Sequence, residues 1–135
     1  KEEQVLLHRF QDAQPLETIE SVLAVSELTA LQQSCRRVYV EDSVRGYISE
    51  VCRATRADRN LRLGASPRAT LALQQSAQAL AAIRGRDYVL PDEVKTLAVP
   101  VLAHRVLLDT GASVHGLNAV SVIERIAASV PVPVD

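Results

Sequence analysis

Tryptophan and methionine are absent from this chain of 135 residues, and three tyrosines and one phenylalanine supply an aromatic share of 3%. A globule of this length buries roughly two-thirds of its unfolded surface, so its core must be aliphatic. That favours packed helices over a β-sandwich, whose strands draw on aromatic and β-branched residues. Lysine is scarce as well, only Lys1 and Lys95, and the net charge of −1 speaks against a nucleic-acid binder working through a basic face. Cys35 and Cys52 are two cysteines, not four. Each falls on the apolar side of a predicted helix and is expected to be a small buried hydrophobe, not half of a disulfide. Closely spaced Cys or His ligands for zinc are missing, and His8, His104 and His115 are too scattered for a metal motif. No apolar run reaches the roughly 18 residues of a membrane span, and no signal peptide is present, so a cytoplasmic location without membrane insertion is expected. A chain that opens on Lys1 and holds no Met is expected to be part of a longer or processed product.

Helix periodicity and helix-end chemistry fill most of the sequence. Glu2 to Gln11, with Val5, Leu6, Leu7 and Phe10, reads as a helix or its trailing end, broken by Gln14-Pro15. Ser26 is a fitting N-cap for a second helix, with Glu27 in its first turn and Leu28, Leu31, Cys35 and Val38 on one face. A third helix opens at Glu41-Asp42 and carries the cleanest stripe: Val44, Tyr47, Ile48, Val51, Cys52 and Thr55. Arg56 to Arg62 reads as a polar surface loop. Ser66 then caps the longest helix, with Pro67 as its first residue, Ala69, Leu73, Ala77, Leu80 and Ala81 facing inward, and Gly85 ending it. Pro91-Asp92-Glu93 opens another helix with core positions Val94, Leu97, Ala98, Val101 and Leu102, in which Pro100 is expected to introduce a bend. Asp109 to Gly116 reads as a turn-rich loop. Asn118 to Ser129 forms the last helix, with Val120, Ile123, Ile126 and Ala127 inward. The short β-prone runs 38–40 and 88–90 each precede a helix and are expected to pair as a two-stranded ribbon. The fold expected is all-α, a small bundle of about five helices with that ribbon.

Arg68 breaks a rule. The first turn of a helix carries unpaired N–H groups and a partial positive charge, so acids are preferred there. Asp92 and Glu93 follow the preference; Arg68 does the opposite. Physics leaves two readings: a guanidinium that is solvated or paired with a nearby acid, or one that holds a phosphate. Another segment, Val106 to Ser113, contains Asp109-Thr110-Gly111 and looks locally like the active site of aspartic proteases. That fold is nearly all β and needs a glycine-rich flap, whereas five glycines and helical periodicity are found here. No Gly-x-x-x-x-Gly-Lys-Ser/Thr loop is present to cradle phosphates.

From Leu63 to Ala69, through Gly64-Ala65-Ser66-Pro67-Arg68, the sequence resembles the C-terminal lid of the MoxR family of AAA+ ATPases. Ala54-Thr55-Arg56, Gly85-Arg86-Asp87-Tyr88-Val89-Leu90-Pro91-Asp92-Glu93-Val94-Lys95, Pro100 to Arg105 and Val130-Pro131-Val132-Pro133 agree in the right order, so the resemblance spans essentially the whole chain. It implies a helical lid over 15–135, preceded at 1–14 by a trailing segment of an ATPase core or a linker. It also implies that Arg68, on the helix start made by Ser66 and Pro67, is the second sensor arginine that reaches the terminal phosphate. ATP and Mg would be bound by the protein's own N-terminal P-loop domain, outside this sequence, and the lid alone would be inactive. A homo-oligomeric ring (a hexamer), chaperone-like remodelling or complex assembly, and a von Willebrand A domain partner are further implications. Gly85 to Tyr88 and His104-Arg105 match the family but carry no assigned catalytic role. The competing reading is a stand-alone helical interaction module that keeps the fold without the nucleotide.

Overall fold

The computed structural model describes residues 2–5, 7, 19–114 and 116–133. The expected break at Gln14-Pro15, the boundary drawn there, and His8, Phe10 and His115 lie outside these residues. Among them the elements are α1 (Val25–Arg36), α2 (Asp42–Ala57), β1 (Leu61–Leu63), α3 (Pro67–Ile83), α4 (Pro91–Leu102), a 3-10 turn (Ala103–Arg105), β2 (Leu107–Leu108), α5 (Thr110–Val114) and α6 (Ala119–Ser129). The chain divides into two compact units, residues 1–31 and 32–135.

In the first unit, residues 2–5 and 7 are helical, and α1 starts at Val25. The start differs from the one expected. Glu27 accepts the Ala24 backbone N–H at 2.7 Å, so its carboxylate closes the helix end from inside and Ser26 is already helical. The expected inward stripe also fails, because α1 buries no residue and Leu28 and Leu31 are 50% and 55% exposed. Val38, which was to complete the stripe, lies beyond the helix, which ends at Arg36.

The second unit holds one core, running from Val38 to Ala127. All six stripe residues of α2 are buried. α3 and α4 pack against each other most extensively, with α2 and α6 closing the bundle around them. On α3 the buried residues are Ala69, Leu73, Ala77, Gln78 and Ala81; the alanines let the neighbouring helix approach closely, while Leu80 is only half-buried. Gln78, polar and unforeseen, is buried because its amide nitrogen donates to the carbonyls of Val38 (2.7 Å) and Arg36 (3.2 Å). On α6 Val122 takes the place expected of Val120, which stays exposed in the first turn.

Ribbon pairing is present, but elsewhere. The antiparallel pair is β1 with β2, Leu61 opposite Leu108 and Leu63 opposite Leu107, with a register irregularity between them. Residues 38–40 and 88–90 do meet, as a single parallel bridge at Tyr39 and Tyr88. There Tyr39 N–H donates to Asp87 O (2.7 Å) and Val89 N–H to Tyr39 O (2.9 Å). That bridge is isolated and parallel, so the two runs do not extend into a ribbon. The segment expected to be a surface loop therefore contains a strand. The presumed loop after it contains a short helix, α5, whose start is made by Asp109 accepting the Gly111 N–H at 2.9 Å.

Candidate functional site

α2 and α3 are joined by a segment that the end of α2 holds tightly. Gly64 runs so close to α2 that an added Cβ would lie 2.6 Å from Thr55 C, Arg56 N and Arg56 Cα. Ala65 is fully buried. Its N–H donates to Thr55 Oγ1 at 2.8 Å, and its carbonyl accepts from Arg56 Nη1 at 2.8 Å. The Thr55 hydroxyl in turn donates to Cys52 O at 2.7 Å, so that buried oxygen is satisfied on both sides. Burial pushes the Cys52 thiol up from its ordinary value, although Thr70 and Arg56 act the other way. Both Cys35 and Cys52 are free thiols.

From this clamp the chain turns into α3. Ser66 is in extended backbone at the cap, and its side chain accepts from Ala69 N–H at 3.4 Å. The Ser66 carbonyl also accepts from Ala69 N–H (2.9 Å) and Thr70 N–H (3.2 Å). Pro67, with no N–H to leave unpaired, is the first helical residue. Ser66 therefore occupies the helix-end donors of Ala69 and Thr70, and the guanidinium of Arg68 is the cationic group the helix start has to offer. Arg68 is exposed, and among the described residues it has neither an ion pair nor a hydrogen-bond partner. No acid stands in the first turn beside it.

The opposite end of α3 is built differently. Arg84 Nη1 donates to Glu93 Oε1 at 3.0 Å, Arg86 Nη2 pairs with the same oxygen, and Leu90 N–H donates to Glu93 Oε2 at 2.6 Å. The Glu93 side chain is 1% exposed. Gly85, at φ +73°, makes the left-handed turn that lets both arginines converge on it. Gly85-Arg86 and Pro91-Asp92-Glu93 are thus parts of one internal joint between α3 and α4. The sequence marks Glu93 only as a helix-start acid; its burial is set by tertiary packing.

Two other segments resolve into local structure. Asp109 is tied into its own turn and donates its backbone N–H to Asn60 O at 2.8 Å, so it stands at the ribbon's edge as a capping residue. His104 and Arg105 are exposed and hydrogen-bonded to each other, Arg105 Nε to His104 Nε2 at 3.1 Å. Among the described residues there is no cluster of three or more His, Cys, Asp or Glu placed to hold a metal, and no helix is long and apolar enough to cross a membrane.

Residues 53–126 match the AAA lid domain family. Over 133 residues the chain is 38% identical to the uncharacterised protein YeaC of Bacillus subtilis, covering 98% of this chain and 42% of that protein. Over 142 residues it is 31% identical to the chaperone MoxR1 of Mycobacterium tuberculosis, covering 98% and 37%. Among solved structures, a Cytophaga hutchinsonii protein provisionally named an ATPase superposes with a TM-score of 0.84 at 27% identity, covering 98% of this chain and 43% of its own. The chain thus spans about two-fifths of the length of these relatives.

Proposed function

This chain belongs to the AAA lid domain family, in its MoxR branch, and on that premise we propose that Arg68 is the residue through which the lid reads the terminal phosphate of ATP. One observation carries the reading: a guanidinium stands exposed and without a described partner at a helix start, where no described residue offsets the unfavourable charge. Uncompensated, that placement costs roughly 0.3–1 kcal/mol. A phosphate brought to it would reverse the sign of the interaction.

The donor set fits such a ligand. A guanidinium offers five N–H groups in a planar fork suited to phosphate oxygens, and Ser66, Pro67 and the clamp on Ala65 fix the helix end that carries it. ATP and Mg belong to a P-loop core preceding this lid; that core supplies the phosphoryl chemistry. Within this chain, Arg68 binds and orients. While the terminal phosphate is in place the guanidinium draws the lid closed, and once that charge departs the attraction is gone. In a hexameric ring, the resulting change of lid angle would be passed to neighbouring subunits and used to remodel a client or assemble a complex. A von Willebrand A domain partner belongs to this same proposal, as does the division into a 1–14 trailing segment and a 15–135 lid.

The test is ATP turnover by the full-length protein. Losing one charge-assisted contact to the terminal phosphate should lower turnover in Arg68→Ala by about ten- to a hundredfold. The separate lid should turn over no ATP. Unchanged turnover and unchanged nucleotide-dependent assembly in Arg68→Ala would remove the sensor role.

A further inference from the structure

We infer that Thr55 and Arg56, at the end of α2, are positioning residues for nucleotide sensing, acting through the Ala65 peptide on the helix start that carries Arg68. The inference rests on the sensor reading of Arg68 and adds to it which residues hold the sensor in place.

The geometry is specific. Both polar groups of Ala65 are bound by consecutive residues of one helical turn, its N–H by Thr55 Oγ1 and its carbonyl by Arg56 Nη1, each at 2.8 Å. Gly64 removes the side chain that would hold the backbones apart, since any Cβ there would fall 2.6 Å from the α2 backbone. The clamp stands on a firm base: Val51, Cys52 and Thr55 are buried, and the Thr55 hydroxyl is itself anchored to Cys52 O. Little freedom remains between Ala65 and Arg68. Ser66 is locked by its cap contacts, and the ring of Pro67 restricts its own φ. A shift of the Ala65 peptide would therefore be carried to Arg68 rather than absorbed. The second hydrogen bond comes from an exposed arginine, whose guanidinium reaches back to the carbonyl of the fully buried Ala65 three residues before the sensor.

The test compares, in the full-length protein, the affinity for a non-hydrolysable ATP analogue with that for ADP, which lacks the terminal phosphate. Thr55→Val keeps the shape and removes the acceptor; Arg56→Met keeps the aliphatic stem and removes the donor. Each should lower the analogue-to-ADP affinity ratio by about three- to tenfold, a loss of at most about 1.4 kcal/mol. Thr55→Ser, which retains the hydroxyl, should restore most of it. On an Arg68→Ala background neither change should lower the ratio further. General loosening of the lid would weaken both nucleotides alike and leave the ratio unmoved. If Arg68→Ala lowers the ratio while Thr55→Val and Arg56→Met do not, the positioning role is overturned and the sensor reading stands. An additional fall in the double variants overturns it too, because the clamp would then act independently of Arg68. If Arg68→Ala itself leaves the ratio intact, the sensor reading fails and takes this inference with it. Should Thr55→Val not fold, Arg56→Met, at an exposed position, carries the test alone.

Discussion

The two ends of α3 treat arginine in opposite ways. At the C-terminal end Arg84 and Arg86 converge on the buried carboxylate of Glu93, with the Leu90 N–H completing its coordination. At the N-terminal end Arg68 meets no acid among the described residues, although a helix start is where an acid would be favoured. The first arrangement is closed: its opposite charges pair within the fold and join α3 to α4, although Arg86 Nε is buried without a hydrogen-bond partner among the described residues. The second is open, and its charge makes physical sense once an anion from outside the chain is supplied. Lack of a partner is not by itself diagnostic, since Arg59 and Arg62 are also without a described partner. Those two lie in a turn and a short strand, where no helix dipole opposes them. What sets Arg68 apart is the unfavourable field together with a backbone held firmly in place.

That contrast can be broken most forcefully at the closed end. Glu93→Ala leaves two guanidinium groups facing a buried void and the Leu90 N–H unpaired. Breaking a buried pair in this way should cost about 3 kcal/mol, read as a lower denaturation midpoint in urea at unchanged slope. A loss below about 1 kcal/mol would mean that the arginines simply turn to solvent and that the joint is not closed.

A milder probe is Arg125, which donates to Asp58 Oδ2 at 2.9 Å and ties α6 to the turn after α2. Burial alone would raise the Asp58 carboxyl. Hydrogen bonds from the Asn60 backbone, Arg125 and the Asn60 side chain, with the Arg125 charge, outweigh it and hold the group below its ordinary 3.8. A depressed folded value means that the contribution is present in full above the unfolded value and fades as pH falls through the folded one. Arg125→Ala should therefore lower thermal stability at neutral pH and flatten its decline below about pH 4. Parallel acid curves for the two proteins would contradict the pairing.

Smallest of all should be the effect of Arg68 on folding. Replacing it by Glu puts the favoured charge at the helix start and should raise the stability of this chain by about 0.3–1 kcal/mol in thermal unfolding. The same change should abolish phosphate sensing in the full protein. A side chain whose removal stabilises the fold and disables the machine is kept for function; if Arg68→Glu destabilised the chain, an internal partner would have to exist after all.

Legibility differed from residue to residue for identifiable reasons. The α2 stripe was readable in full because six positions at three-to-four spacing report one buried face whatever covers it. Ser66, Pro67 and Gly85 were readable because caps, a fixed φ and a positive φ act within a few residues. The pairing of β1 with β2 was not, since both β-prone runs before helices looked equally able to form a ribbon. Choosing Leu61–Leu63 as a strand depends on β2 arriving more than forty residues later. Nor was the burial of Gln78 or Glu93 readable: each is a polar residue on a helix until distant carbonyls or arginines reach it.

Sequence alone thus determined the helical class, the register of α2 and α3, the cap that starts α3 and the anomaly of Arg68, because each follows from interactions spanning about one helical turn. Tertiary structure decided which strands paired, which arginines found partners and that Arg68 has none among the described residues. It also decided that Thr55 and Arg56 close on Ala65, for those outcomes depend on where separate helices come to rest against a shared core.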